Sequence, residues 1–132
     1  MSSAVSRVAA APSSLALAHF EKLLAFETDC WDVHHATTNG LKDFVLVDVR
    51  GEELYQQGHI QGSINIPHTR LNERNLSHFP MDTLFVVYCA GPHCNGTEKA
   101  AIRLAKLGRP VKKMIGGVTG WIDEGFTLNS GE

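Results

Sequence analysis

The sequence predicts an α/β domain on a mostly parallel sheet with helices on both faces. Two continuous apolar, β-branched runs carry that expectation: residues 44–49 (FVLVDV) and 83–89 (TLFVVYC). Each suits a strand buried on both faces. Strand-like and helix-like segments also alternate along the chain, the pattern that yields parallel strands joined by crossover helices. The 132 residues suffice for one hydrophobic core, and no repeat or linker divides them.

Taken in order, residues 1–14 are rich in small residues and read as a flexible N-terminal leader, with 15–132 forming a single domain. Residues 15–26 place Leu15, Ala18, Phe20, Leu23 and Leu24 near helical spacing, with Ser13 or Ser14 as cap. Residues 28–40 predict a second short helix, capped by Thr28 or Asp29 and stopped at Asn39-Gly40. After the strand at 44–49 comes a one- to two-turn helix between Gly51 and Gly58. Ile64 and Ile66 then alternate with polar neighbours as a short strand stopped by Pro67. Residues 71–79 form a short helix before Pro80, followed by the second buried strand. Residues 96–108 are amphipathic: Ala101, Leu104, Ala105 and Leu107 make the inner face and Gly108 the stop. A strand at 111–117, broken by Gly116-Gly117, and a helical turn at 118–126 complete the chain.

Composition narrows the function. The net charge of −2 and the absence of a charge run argue against a nucleic-acid partner. No run has the length of a membrane-spanning helix. Three cysteines are an odd count, which disfavours a disulfide framework and favours a reducing compartment, hence a cytoplasmic location.

Cys89 ends a buried-strand pattern and meets the loop Ala90, Gly91, Pro92, His93, Cys94, Asn95, Gly96 and Thr97. In an open parallel sheet, ligands bind beyond the carboxyl ends of the strands. Glycines at 91 and 96 permit a concave loop whose backbone N–H groups turn inward, and the following helix adds the positive end of its dipole. Both stabilise a thiolate, the nucleophilic form of cysteine.

Three blocks carry a resemblance: VDVRGEELYQQGHIQGSINIPH, VVYCAGPHCNGTEKAAIRLAKLG and MIGGVTGWIDEGF. In that order and spacing they resemble a single-domain rhodanese, most strongly over residues 41–126. The Cys-x-Gly-Pro-x-Cys-Asn loop is similar to that of a bacterial subgroup related to phage-shock-protein-E-like rhodaneses. The resemblance implies a five-stranded rhodanese-like domain and sulfur transfer without a cofactor. Cys89, at the family's catalytic position, would attack a sulfane sulfur donor such as thiosulfate or a persulfide, hold a persulfide, and pass the sulfur to cyanide or a thiol acceptor. A protein acceptor is a further possible partner. Asp48 would fix the loop and Arg50 supply positive potential; the alternative is that the two pair with each other as a staple of the fold.

The loop departs from the family pattern. Thr97 stands eight residues after Cys89, two more than usual, and His93 is the loop's only candidate cation. A dianionic donor would rely on amides, the helix end and more distant charges. Cys94 has two readings: it attacks the persulfide to give a Cys89–Cys94 disulfide, or it only packs. Cys89, His93 and Cys94 lack standard metal-ligand spacing, so no metal site is expected. A phosphatase or arsenate reductase of the same fold would need an Arg at the loop's end, which is absent. A non-catalytic or carrier module binding a protein is the other alternative. His59, Trp121, Phe126, Cys30 and His34-His35 read as packing or surface residues.

Overall fold

A computed structural model describes residues 1–131. Its centre is a sheet of five strands, all paired in parallel, in the order β1-β5-β4-β2-β3. The chain runs through α1 (Ala4–Arg7), α2 (Ser13–Phe26), β1 (Glu27–Asp29), α3 (Cys30–Thr38), β2 (Val45–Asp48) and α4 (Glu52–Gln57). It continues through β3 (Ile64–Asn65), a 3-10 turn (His68–Arg70), α5 (Glu73–Leu76), β4 (Phe85–Tyr88), α6 (Gly96–Lys106), β5 (Val111–Ile115) and α7 (Gly117–Asp123). The sequence expectation of a mostly parallel sheet thus becomes a fully parallel one.

The period-two alternation of the central strands divides the core into two layers. On one face Val47, Phe85 and Val87 pack with Leu71, Leu76, Ala100 and Leu104. On the other, Leu46, Val86, Tyr88 and Met114 pack with Cys30, Val33, Ile60 and Trp121. Every residue of β4 is buried, as its unbroken apolar run requires. Each large side chain so buried contributes about 1.5–3 kcal/mol of transfer free energy. Cys30 is the one free cysteine, and burial, with Asp29 and Glu124 nearby, pushes its thiol up to about 11.

Three expectations change. The strand β1 is not legible as one, because Glu27, Thr28 and Asp29 are polar; it forms by pairing with β5, with Thr28 opposite Met114. The inner face of α6 is shifted: Ala100 and Leu104 are buried, Leu107 and Ala101 are partly covered, and Ala105 is exposed. The apolar face assigned to residues 15–26 does not become core. Leu15, Phe20 and Leu24 are exposed, and α2 flanks the sheet edge through partly covered Leu23 and Ala16. Within residues 1–14, Ala4–Arg7 form one helical turn with a Ser3–Ser6 capping box, and no residue of that turn is buried.

β2 and β4 lie side by side, yet the chain leaves β2 towards β3 and leaves β4 towards β5, in opposite directions across the sheet. This is the topological switch point at which parallel sheets open a crevice beyond their carboxyl ends. Cys89 is the first residue past β4 there.

Candidate active site

Cys89 is nearly buried, yet it lines a cavity of about 230 Å³ together with Gly91, Pro92, Cys94, Thr97 and Gly117. That volume is below the roughly 300–1,000 Å³ of clefts for drug-sized ligands, and so suits a small ligand. A larger cleft of about 610 Å³ lies beside β3, bordered by Tyr55, Asn65 and Arg70, but no cysteine reaches it. Ala90, His93, Asn95 and Gly96 belong to the loop without lining the small cavity.

The loop folds back on itself because Gly91, Pro92, His93 and Cys94 make a turn. Proline at its second position pre-sets φ, and the Cys94 amide donates to the Gly91 carbonyl at 3.0 Å. The turn brings Cys94 to Cys89: the two sulfurs are paired, with Cα atoms 6.5 Å apart. Gly96 makes room for them, since a Cβ at that position would stand 2.8 Å from Cys89 Sγ and 3.5 Å from Cys94 Sγ. Among the described residues, the amides of Ala90, Gly91, His93 and Asn95 have no protein acceptor. The eleven-residue helix α6 begins immediately afterwards, adding its positive end.

From the far side α7 pins the loop. The Val118 amide donates to the Cys89 carbonyl at 3.0 Å, and the amide and hydroxyl of Thr119 both donate to the Ala90 carbonyl at 3.0 and 3.1 Å. Gly117 permits this approach: its φ is +60°, and a Cβ there would lie 2.5 Å from the Cys89 carbonyl oxygen and 2.8 Å from the Gly91 nitrogen. Gly117→Ala is expected to cost about 2–4 kcal/mol, through strain and backbone collision together. Chemical denaturation would show it as a lowered midpoint; an unchanged midpoint would mean that loop and helix part freely.

Asp48 and Arg50 stand at the same rim but not in the cavity. The buried Asp48 carboxylate accepts from the Arg50 backbone amide at 3.0 Å, from Nε at 3.0 Å and from Nη2 at 2.7 Å. Nη2 also donates to the Gly58 carbonyl at 2.6 Å. Asn65 Nδ2 donates to both the Asp48 and Arg50 carbonyls. The pair therefore staples β2, β3 and α4 together, and the hydrogen bonds Asp48 accepts come from Arg50 rather than from the cysteine loop. His59 is buried, stacked on Tyr55 with Nδ1 2.8 Å from the Tyr55 carbonyl. Trp121, Phe126 and His34 pack against one another.

Charged residues that the sequence reasoning passed over also border the cavity. Lys113 and Glu98 line it, and Glu27 lies within 3.5 Å of the Lys113 ammonium. The sequence shows Lys112-Lys113 near a strand end, but only the register of β1 on β5 sets Glu27 opposite Lys113. Among the described residues no cluster of three or more metal-ligating side chains occurs, and no helix is long and apolar enough to cross a membrane.

The parallel α/β sheet thus delivers a cysteine from its central strand into a glycine-lined loop, with a helix N-terminus behind it. The chain belongs to the Rhodanese-like domain family, which matches residues 34–124. It superposes on a crystal structure of a Bacillus halodurans protein with a TM-score of 0.87 and 35% identity, covering 90% of this chain and 87% of that one. It is 34% identical over 85 residues to the thiosulfate sulfurtransferase GlpE of Pseudoalteromonas translucida, covering 61% of this chain and 74% of the relative. It is 39% identical over 97 residues to an HTH-type transcriptional regulator of Mycobacterium tuberculosis, covering 68% of this chain. The matched segment spans 42% of that regulator's length.

Proposed function

We propose that the protein is a sulfurtransferase that carries sulfur as a persulfide on Cys89. The observation that carries the reading is the placement of Cys89 on the wall of a small cavity, beside Gly91, whose amide has no protein acceptor among the described residues, and the start of α6. Those donors favour the thiolate. With thiosulfate, the Cys89 thiolate attacks the outer sulfur. A bond from Cys89 Sγ to that sulfur forms, the S–S bond of thiosulfate breaks, and its electron pair leaves with sulfite. An organic persulfide donor instead releases its thiolate. An acceptor thiolate then attacks the outer sulfur of the Cys89 persulfide and frees the Cys89 thiolate. Every atom and electron comes from cysteine, donor and acceptor, so the cycle needs no cofactor. The acceptor is a small thiol, cyanide or a protein cysteine. The reduced Cys89–Cys94 pair is the working state, and a reducing compartment such as the cytoplasm suits it. The Cys-x-Gly-Pro-x-Cys-Asn loop supports assignment to the phage-shock-protein-E-like subgroup.

Mass spectrometry of the reduced protein after thiosulfate or a polysulfide tests the proposal. A gain of one sulfur on Cys89 is expected. No adduct with either donor would turn the assignment towards a protein-binding module, and aryl-phosphate hydrolysis that depends on Cys89 would turn it towards a phosphatase.

The contact of Cys94 with Cys89 supports a second role. The Cys94 thiolate attacks Cys89 Sγ of the protonated persulfide, a disulfide forms, and hydrosulfide leaves with the electron pair. An external thiol reductant then restores both cysteines, itself becoming a disulfide. Cys94→Ser is expected to keep persulfide formation but to lower acceptor-free sulfide release roughly tenfold or more, since the attacking thiolate is gone. Equal sulfide release from the variant and the parent would return Cys94 to packing alone.

A further inference from the structure

Lys113 is a cation on the wall of the Cys89 cavity, but it is already engaged. Its Nζ donates to Glu98 Oε2 at 2.6 Å and lies 3.5 Å from Glu27 Oε2. The other oxygen of Glu98 accepts from the Thr97 hydroxyl at 2.7 Å, which fixes the carboxylate towards the ammonium. The Lys113 hydrogen bond holds Glu98 below the usual carboxylate range, and the same bond holds Lys113 above the usual amine range. The Lys113–Glu98 ion pair therefore persists near neutral pH, and with Glu27 as a second carboxylate beside the one ammonium this side of the mouth has a formal net charge of −1. The remaining lining residues carry no cation.

The same three residues form one edge of a neighbouring recess of about 330 Å³, otherwise walled by Phe26, Ala101, Ile102, Val111 and Lys112. Phe26 and Ile102 are exposed there. The ion cluster thus divides a thiol cavity from an apolar shelf. A compact dianion gains nothing from that shelf and is repelled at the divide, whereas an organic group can lie on it.

We propose that Glu98, seconded by Glu27, is a specificity-determining residue: by occupying Lys113 it turns the site from dianionic donors such as thiosulfate towards organic persulfides bearing at most one negative charge, whose apolar part rests on the Phe26–Ile102 shelf. The inference rests on the sulfurtransferase reading and names its donor class. Glu98 acts by charge, so its effect on the logarithm of the rate scales with the charge of the donor.

The test measures the rate of Cys89 persulfidation, by mass spectrometry of the reduced protein, with thiosulfate and with benzyl hydropersulfide as probes. Glu98→Gln removes one negative charge and leaves Lys113 with Glu27 as its remaining carboxylate partner. Thiosulfate transfer is expected to rise about tenfold, and transfer from the singly charged benzyl persulfide by about threefold or less. Adding Lys113→Met to that variant is expected to return thiosulfate transfer to the parent level or below. Salt is expected to raise thiosulfate transfer in the parent by screening the repulsion, and to do so less in Glu98→Gln. Glu98 is exposed, so folding is not at stake, and Glu27→Gln provides a second variant with the same sign and a smaller effect. Equal changes for both probes, or none, with Cys89 still persulfidated would overturn this inference and leave the sulfurtransferase reading standing. Failure of both probes on every protein would overturn both.

Discussion

Cys89→Ser is expected to abolish sulfur transfer, lowering the rate by more than about a thousandfold with thiosulfate and persulfide donors alike. A hydroxyl at this position remains protonated near neutral pH, and neither the loop amides nor the start of α6 can compensate for a nucleophile that is scarcely ionised. The substitution is nearly isosteric, and the glycine space at position 96 that admits a sulfur also admits an oxygen. Compared with the reduced parent, the fold is therefore expected to persist, with stability unchanged to within about 1 kcal/mol. The decisive measurement pairs steady-state transfer with mass spectrometry of the variant. Retained transfer with the added sulfur on Cys94 would exchange the roles of the two cysteines. Cys30 is not expected to take the sulfur, because its thiol is buried and held in the protonated form.

The largest effect on stability is expected from Asp48→Ala. Asp48 is wholly buried and the Arg50 side chain is only 8% exposed. Removing the carboxylate leaves the guanidinium desolvated with only the Gly58 carbonyl as partner. Breaking one side of a buried pair costs about 3–5 kcal/mol, a large share of the roughly 5–15 kcal/mol that stabilises a typical domain. The double variant Asp48→Ala/Arg50→Met has no orphaned charge and is expected to recover at least half of the loss. Urea denaturation of the parent and both variants distinguishes the two stabilities. A single variant as stable as the parent would mean that water reaches Arg50 and that the pair is no staple. The consequence for activity is indirect: β2 borders β4 at the switch point, so a loosened β2 end loosens one wall of the crevice.

The parts of the site that follow one another along the chain were legible. The apolar run of β4, Cys89 after it, the Gly-Pro turn and the helix beyond occupy consecutive residues, and each has a local physical signature. The parallel α/β class was legible for a related reason: β2 and β4 are buried on both faces, so their composition alone marks them. Two elements were not. β1 has a polar sequence and is a strand only because β5 offers it an edge. The apolar spacing of α2 suggested a core helix, but periodicity shows only which residues share a face, not whether anything covers that face. Leu15, Phe20 and Leu24 remain exposed.

Sequence alone determined the class of the sheet, the position of the thiol at a strand end and the turn that follows it, because those features rest on propensities and neighbours within a few residues. Tertiary structure decided which charges gather at the edge of the thiol's cavity. Lys113, Glu98 and Glu27 come from three separate elements, and their meeting depends on the register of β1 on β5 and the seating of α6 beside β5. It also decided that Arg50 serves Asp48 and not the cavity. Electrostatic interactions depend on distance through space, and distances between residues far apart in the chain exist only once the sheet has assembled.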